Sequence, residues 1–526
     1  MREKFRCLNY RFMAPDPSQR GDTASFCLHD VIDAHAAARP RALATVCADS
    51  RITWEQMRAR SHALAAELGD AGVGPGDRVL WWGQNCHRVL EALVAASRLG
   101  AVVCVANWRQ SAPELAFVLG DAAPTVVLWQ EQEIGAVAHA ARADGAVDDA
   151  IWIQHDTAGP AGYEARISCR GPRDYPPGDD AAAVLMMYTA AFDGQVNGAL
   201  LSHRALLAQS MTLRLLERLD EKTVYLNSGP MFHIGSLRRA LAVLHAGGRN
   251  VMCRRVQAQL LCELIDAEGC THAFLQHPTM VEMVEANADG RFDLSSLRSR
   301  PGPPGWAEMV TVDEPTVSSG YGQTEVAGVV TFGFPERPAT GAWPGPLANV
   351  EVHTRDGAPV GPGEVGEIVV RGPMVMNGYH NRDALSAYRS RGGWHHTNDL
   401  GRLECDGSIS FVAPMQRIIK SAAENIYPVE VEAALRAHPA VDDAAVLGVP
   451  NDVWGQRVKA VVVARAPVSG DELADFCRGR IARYKCPRIV EFVSSLPRNA
   501  TGLDRDALDT RHGGGGYPGV SATNPI

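Results

Sequence analysis

Tyr321-Gly322-Gln323-Thr324-Glu325 is the stretch on which the fold assignment turns. It follows a short apolar run, Val317 to Ser319, that reads as a strand. A glycine lets the backbone turn sharply, after which a hydroxyl and a carboxylate can face one spot. Taken alone, five such residues describe a polar turn. Their neighbours give them weight. Upstream, Pro230-Met231-Phe232-His233 places an aromatic ring and an imidazole after a strand at Val224 to Asn227. Downstream, Thr397-Asn398-Asp399 sets a carboxylate before a glycine turn, positioned to bind the vicinal hydroxyls of a ribose. Ala422-Ala423-Glu424-Asn425-Ile426-Tyr427-Pro428 precedes a helix at Val429 to Arg436. Arg483-Tyr484-Lys485-Cys486-Pro487 and Leu496-Pro497-Arg498-Asn499-Ala500-Thr501-Gly502 come near the end.

Around these segments the chain alternates helix and strand. Thr53 to Gln56 has the spacing of a capping box opening a helix through Leu68, and Ser111 to Glu114 caps another. Val79 to Trp82, Val102 to Val105, Val126 to Trp129 and Val184 to Tyr188 are short, continuously apolar strands, with a helix from Cys86 to Leu99 among them. That rhythm predicts parallel sheets covered by helices on both faces. From Glu351 the texture changes to short alternating strands between glycine-rich turns (Val350 to Thr354, Glu367 to Arg371, Ser408 to Val412), a small β subdomain. A final α+β unit follows: strands at Ala444 to Val449, Val458 to Ala464 and Val490 to Val493, and a helix at Glu472 to Ile481. The expected division is a large α/β domain at 25–412, a hinge at 413–417, a small mobile α+β domain at 418–511 and a disordered tail at 512–526.

Composition narrows the possibilities. The 526 residues are 46% hydrophobic and 21% charged, too long for one core and ordinary for a globular protein. No apolar run approaches the roughly 18 residues of a membrane span, and residues 1–20 lack the apolar centre of a signal peptide. A cytoplasmic location is expected. The net charge of -9, without a basic run, argues against nucleic-acid or anionic-membrane partners. The 12 cysteines form no C-x-x-C pair and read as free buried thiols; no metal site is expected.

In order and spacing, the motifs resemble the superfamily of acyl-CoA synthetases, peptide-synthetase adenylation domains and luciferases, over residues 25 to 510. The resemblance implies activation of a carboxylic acid as acyl-AMP, rotation of the small domain, and displacement of AMP by a thiol, often that of coenzyme A. It implies that Tyr321, Gly322, Gln323 and Thr324 border the adenylate, that Glu325 is the magnesium-linked carboxylate, and that Asp399 binds the ribose. His233 would sit beside the acyl group and the mouth of the thiol tunnel, Ala422, Ala423 and Glu424 along the pantetheine path, and Lys420 where luciferases carry a lysine of the second half-reaction.

The departures from the pattern are as informative. The family's phosphate loop is rich in Gly, Ser and Thr and ends Pro-Lys-Gly; its amides, hydroxyls and lysine hold the pyrophosphate of ATP. Here the loop reads Thr189-Ala190-Ala191-Phe192-Asp193-Gly194-Gln195-Val196-Asn197-Gly198. Asn197 stands where the lysine is expected, and Asp193 adds a negative charge. At about 4 Å and an effective dielectric of roughly 20, each such like-charge contact costs about 4 kcal/mol before relaxation. Leu503 stands where the family has its adenylating lysine, after Gly502. One lost charge-stabilising donor costs about 10²- to 10³-fold in rate. Pro414, Gln416 and Arg417 replace the usual hinge residues, and Ala422-Ala423 replaces a Gly-Gly pair.

The expected function is therefore the second half-reaction alone: transfer of an acyl group from a preformed acyl-adenylate to coenzyme A, with AMP as product. A companion adenylating ligase would make the adenylate, and a magnesium requirement is left open. Two alternatives remain. One is a non-catalytic relative that binds acyl-AMP, acyl-CoA or a partner ligase. The other is a complete ATP-dependent ligase using altered contacts.

Overall fold

Apolar runs without alternation become interior strands, because a strand covered on both faces needs no polar side. The computed structural model describes residues 25–48, 50–143, 147, 149–189, 196–313, 317, 319–415, 417–421, 424–499 and 502–517. Ala183–Thr189, Val102–Ala106, Arg78–Trp82, Val126–Trp129 and Ile151–Gln154 lie parallel in a seven-stranded sheet. Asn197–Ser202 and Gly378–Tyr379 extend it antiparallel at one edge. Leu80, Cys104 and Met186 pack against Leu115, Leu119 and Ile134 on one face. Trp81, Val103 and Leu185 join Leu64, Leu90 and Leu93 on the other. A second sheet sets Leu43–Cys47, Arg249–Met252, Val224–Asn227 and His272–Ala273 parallel, with Ser50–Thr53 antiparallel at its edge. The predicted α/β class holds, and so do both capping boxes, at Thr53 with Gln56 and at Ser111 with Glu114.

Two motif segments differ from expectation in local structure. Ser319–Gln323 is itself a strand, antiparallel to Gly328–Gly333, whereas Val317 lies outside any strand. Gly322 therefore permits a close approach rather than a sharp turn. A Cβ there would lie 1.8 Å from the Gly328 carbonyl oxygen. The turn itself is the short 3-10 segment Thr324–Val326, followed by Ala327 at φ 53°. Likewise Asp399, expected before a glycine turn, lies inside a strand, His395–Leu403, which joins Asn349–His353, Val365–Arg371 and Ile409–Pro414 in an antiparallel sheet. Asn398 at φ 62° and a register shift at Leu400/Gly401 bend this strand around its polar residues.

The small domain packs helices Pro428–Arg436 and Gly470–Arg478 on a sheet built around Val441–Asn451 and Gly455–Ala464. The expectation of a disordered tail from His512 is corrected for residues 512–517. Helix Arg505–His512 ends at Gly513, and Tyr517 is buried. The Gly448 amide donates to the Tyr517 hydroxyl at 3.0 Å, and that hydroxyl donates to Asp509 at 2.9 Å. One buried aromatic ring thus anchors the glycine run that composition read as unstructured. Residues 518–526 lie outside the described residues. Among the described residues no helix is long and apolar enough to cross a membrane, and every cysteine is free.

The small domain docks on the N-terminal end of helix Ala112–Ala122. Lys485, only 7% exposed, reaches Glu114 at 2.7 Å and Glu430 at 2.6 Å. Burial alone would push the ammonium down; Tyr484, Glu430 and Glu114 push it up instead, so it stays charged. The Ser111 hydroxyl donates to the Arg480 carbonyl at 2.8 Å, and Arg109 pairs with Glu424 at 3.0 Å. Glu114→Gln keeps the helix cap but removes one of the two charges on Lys485. It is expected to weaken docking by about 2 kcal/mol. Hydrogen exchange of residues 112–122 should rise and the melting temperature fall; unchanged exchange would show that docking does not rest on this pair.

Candidate active site

The strand Ser319–Gln323 and the strand His395–Leu403 bring Tyr321, Gln323 and Asp399 into one network. The Tyr321 hydroxyl donates to Asp399 Oδ2 at 2.7 Å, and Gln323 Nε2 donates to the same oxygen at 3.2 Å. Gln323 Nε2 also reaches the Thr397 carbonyl, and His395 Nε2 holds Gln323 Oε1 at 2.9 Å. Burial pushes His395 down to about 3, so the imidazole is neutral and Nε2 carries the proton it donates. Tyr321 stacks on Phe411, ring centres 5.6 Å apart. Burial lifts the Asp399 carboxyl to about 6, against the hydrogen bond from Tyr321 that favours its ionised form. Among the described residues both side-chain donors to Asp399 reach Oδ2 rather than Oδ1.

Glu325 lies close enough for its charge to raise Asp399 further. It is 3% exposed and accepts a hydrogen bond from the Tyr379 hydroxyl at 2.8 Å; burial raises its carboxyl. Thr189, at the end of the strand that leads into the 190–195 loop, lies close enough to favour the ionised form of Glu325. Among the described residues, the one group of three potential metal ligands is Cys47, Cys86 and His87, and it does not include Glu325.

The second group gathers where the domains meet. His233 caps the helix Ile234–Ala246, its Nδ1 accepting the Gly235 amide at 3.1 Å. With Nδ1 committed as acceptor, the neutral ring carries its proton on Nε2. It can donate to a carbonyl or phosphate oxygen and cannot take a thiol proton. Surrounding protein lowers its pKa, Glu424 opposes that, and Arg238 and Lys420 reinforce it. His233, Lys420 and Glu424, predicted from separate motifs, are therefore within electrostatic reach of one another. Glu424 is held by Arg109, whose guanidinium also stacks over Phe232 at 5.7 Å. A cavity of about 540 Å³ opens beside them, with Phe274, His277 and Arg300 from the large domain and Lys420 and Trp454 from the small one.

Ala190, Ala191, Phe192, Asp193, Gly194, Ala422 and Ala423 lie outside the described residues. Thr189 and Asn197 pair across the hairpin that carries the loop, and Gly198 lies against Met186. Asn197 is a buried strand residue, 3% exposed, rather than a solvent-facing stand-in for lysine. Leu503 forms a short hairpin with Arg498–Asn499 and packs against Ala445, Leu447, Val461, Leu496 and Leu508, all within the small domain. Pro414 ends the strand beside Asp399, while Arg417 pairs with Asp506 and Asp509 in the small domain. Sequence reasoning missed Arg109, Tyr379, His395 and the Lys485 pair. The scarcity of lysine, only five in the chain, was the one available hint for Lys485.

Comparison with known proteins agrees with this geometry. The family model for AMP-binding enzymes matches residues 32–380, and that for the AMP-binding enzyme C-terminal domain matches 430–503. A feruloyl-CoA synthase of an Amycolatopsis species is 34% identical over 476 residues, 88% of this chain and 94% of its own length. An indoleacetate–CoA ligase of Aromatoleum aromaticum is 33% identical, covering 91% of this chain and 96% of its own. Among solved structures, an o-succinylbenzoate CoA synthetase of Bacillus subtilis bound to a product analogue superposes with a TM-score of 0.76 at 25% identity, over 91% of this chain and 97% of that one. The two-domain architecture and the extent of these matches show that the chain belongs to the AMP-binding superfamily of acyl-CoA synthetases.

Proposed function

We propose that the protein carries out only the acyl-transfer half of the ligase reaction, taking a preformed acyl-adenylate and passing its acyl group to coenzyme A. The observation that carries this is a loss of positive charge. The loop at 189–198 has an acid and a phenyl ring in place of hydroxyls and lysine, and a partly buried Leu503 packs against an apolar cluster where the adenylating lysine is expected. A monophosphate ester anchored through its ribose needs neither. The Asp399 network and Glu325 persist, which supports a site that still meets an adenylate. The docking of Glu424 and Lys420 beside His233 supports acyl transfer as the step this domain arrangement serves.

In that reaction the thiol sulfur attacks the carbonyl carbon of the mixed anhydride. A carbon–sulfur bond forms, the carbon–oxygen bond to phosphate breaks, AMP leaves, and the thiol proton passes to water at the open mouth. The anhydride is already activated, so positioning supplies most of the catalysis. Tyr321 and Gln323 hold Asp399 against the ribose. His233 donates Nε2–H to an oxygen of the reacting centre. Arg300, Lys420 and the exposed ring of Trp454 offer cations and a stacking face to the nucleotide of coenzyme A. A companion enzyme would supply the adenylate. This pattern resembles the non-adenylating acyl-CoA ligase of the platensimycin and platencin pathway, and implies a bulky acyl group.

The test mixes the protein with coenzyme A and either free acid plus ATP or a synthetic acyl-AMP. Acyl-CoA is expected from the second mixture only. Its appearance from acid and ATP would sink the proposal, and tight acyl-AMP binding without turnover would favour a binding module. A second expectation follows from Asp399. Its carboxyl is raised from 3.8 to about 6, so the folded protein holds that proton below pH 6 while the unfolded chain releases it above pH 4. AMP affinity should therefore rise as pH increases through 6, and Asp399→Asn should weaken binding and flatten that profile. Ionising a buried acid destabilises the fold, so Asp399→Asn should also raise the melting temperature at pH 7 and lose that advantage below pH 4. A pH-independent AMP affinity in the parent protein would contradict the assignment.

A further inference from the structure

Arg238 lies five residues beyond His233 on the helix that His233 caps, roughly 7.5 Å along its axis at 1.5 Å per residue. It is 6% exposed, and among the described residues neither its Nε nor its Nη1 meets a hydrogen-bond partner. Beside it, Gln209 on helix His203–Leu216 is 1% exposed. Its Nε2 donates to the Val329 carbonyl at 3.2 Å, and its Oε1 has no partner. The two side chains meet at Gly328, where a Cβ would come within 2.6 Å of Arg238 Cδ and 2.9 Å of Gln209 Nε2. Gly328 starts the strand that pairs with Ser319–Gln323, so these groups lie directly behind the motif that borders the adenylate. Thr331 on the same strand buries a further unpartnered hydroxyl.

The charges nearby do not balance. Arg239 acts on Arg238 as a like charge, and among the described residues the carboxylate that acts on both, Glu217, stands 3.6 Å from Arg239. Two guanidinium groups thus share one carboxylate. A buried guanidinium without an acceptor is costly to the fold, and natural structures complete such groups with a partner. A packing role alone would be served by an apolar side chain of similar length. Arg238 is also close enough to His233 to hold that imidazole toward its neutral form, which ties it to the reacting centre.

We propose that Arg238, with Gln209 beside it, receives an acceptor oxygen at the end of the acyl group remote from the reacting carboxyl, so that the protein selects oxygenated acyl groups over plain hydrocarbon ones. This rests on the acyl-adenylate reading above. A terminal carboxylate or carbonyl would satisfy the free N–H groups, whereas a methyl would leave them buried and unpaired.

The test is calorimetric binding of non-hydrolysable acyl-sulfamoyladenosines in matched pairs, 4-carboxy against 4-methyl, at benzoyl and cinnamoyl length. The full chain is expected to prefer the carboxylate by about 10- to 100-fold in at least one pair. Arg238→Met should abolish that preference while binding the methyl compound no more weakly, and Arg238→Lys should keep part of it. If Arg238→Met fails to fold, the comparison within the parent protein still decides. Equal affinity for both members of each pair overturns this inference and leaves the adenylate reading intact. Binding of neither member overturns both. A preference that survives Arg238→Met assigns the oxygen to another group and also overturns it.

Discussion

A single buried ammonium joins the two halves of the molecule. Lys485 sits between Glu114 of the large domain and Glu430 of the small one, and the arrangement of the site depends on that contact. Isolated, each of these charges would resist burial; together they offset one another's desolvation, and removing one partner leaves an uncompensated charge. The contact holds the small domain where Glu424 meets Arg109 and where Lys420 and Glu424 act on His233. Leu503 packs against apolar neighbours of its own small domain.

From that arrangement the chemistry follows by charge. Adenylate formation requires a cationic, amide-rich cradle for a polyanion. Acyl transfer requires an anchored monophosphate ester, a donor near the reacting oxygen and a route for a thiol. The retained groups, from Asp399 with its two donors to His233 with its proton on Nε2, meet the second set of needs. Under the proposed reading, the lysines that the family pattern leads one to expect at Asn197 and Leu503 belong to the first. Asn197 is buried in its strand, and Leu503 is partly buried against an apolar cluster of the small domain.

Much of this is legible in the sequence. The apolar strands of the seven-stranded sheet and both capping boxes are local signals, and local signals survive folding. The candidate site residues stand out in the sequence because their motifs are contiguous. What escaped were contacts between distant segments: Arg109 and Glu424 are 315 residues apart, and nothing around Asn107-Trp108-Arg109 announces a partner. The polar stretches around Tyr321 and Asp399 read as turns because their composition lacks the apolar alternation of strands, yet cross-strand pairing made them strands. Tyr517 was overlooked because four glycines outweigh one aromatic residue in composition, although one buried ring suffices to hold the segment.

The most direct measurement runs the first half-reaction backwards. The acyl-adenylate that yields a thioester with coenzyme A is offered labelled pyrophosphate and magnesium instead. The account predicts no labelled ATP, because the loop that must grip pyrophosphate carries an acid and no lysine. Labelled ATP formed at a rate comparable to that of thioester would contradict it.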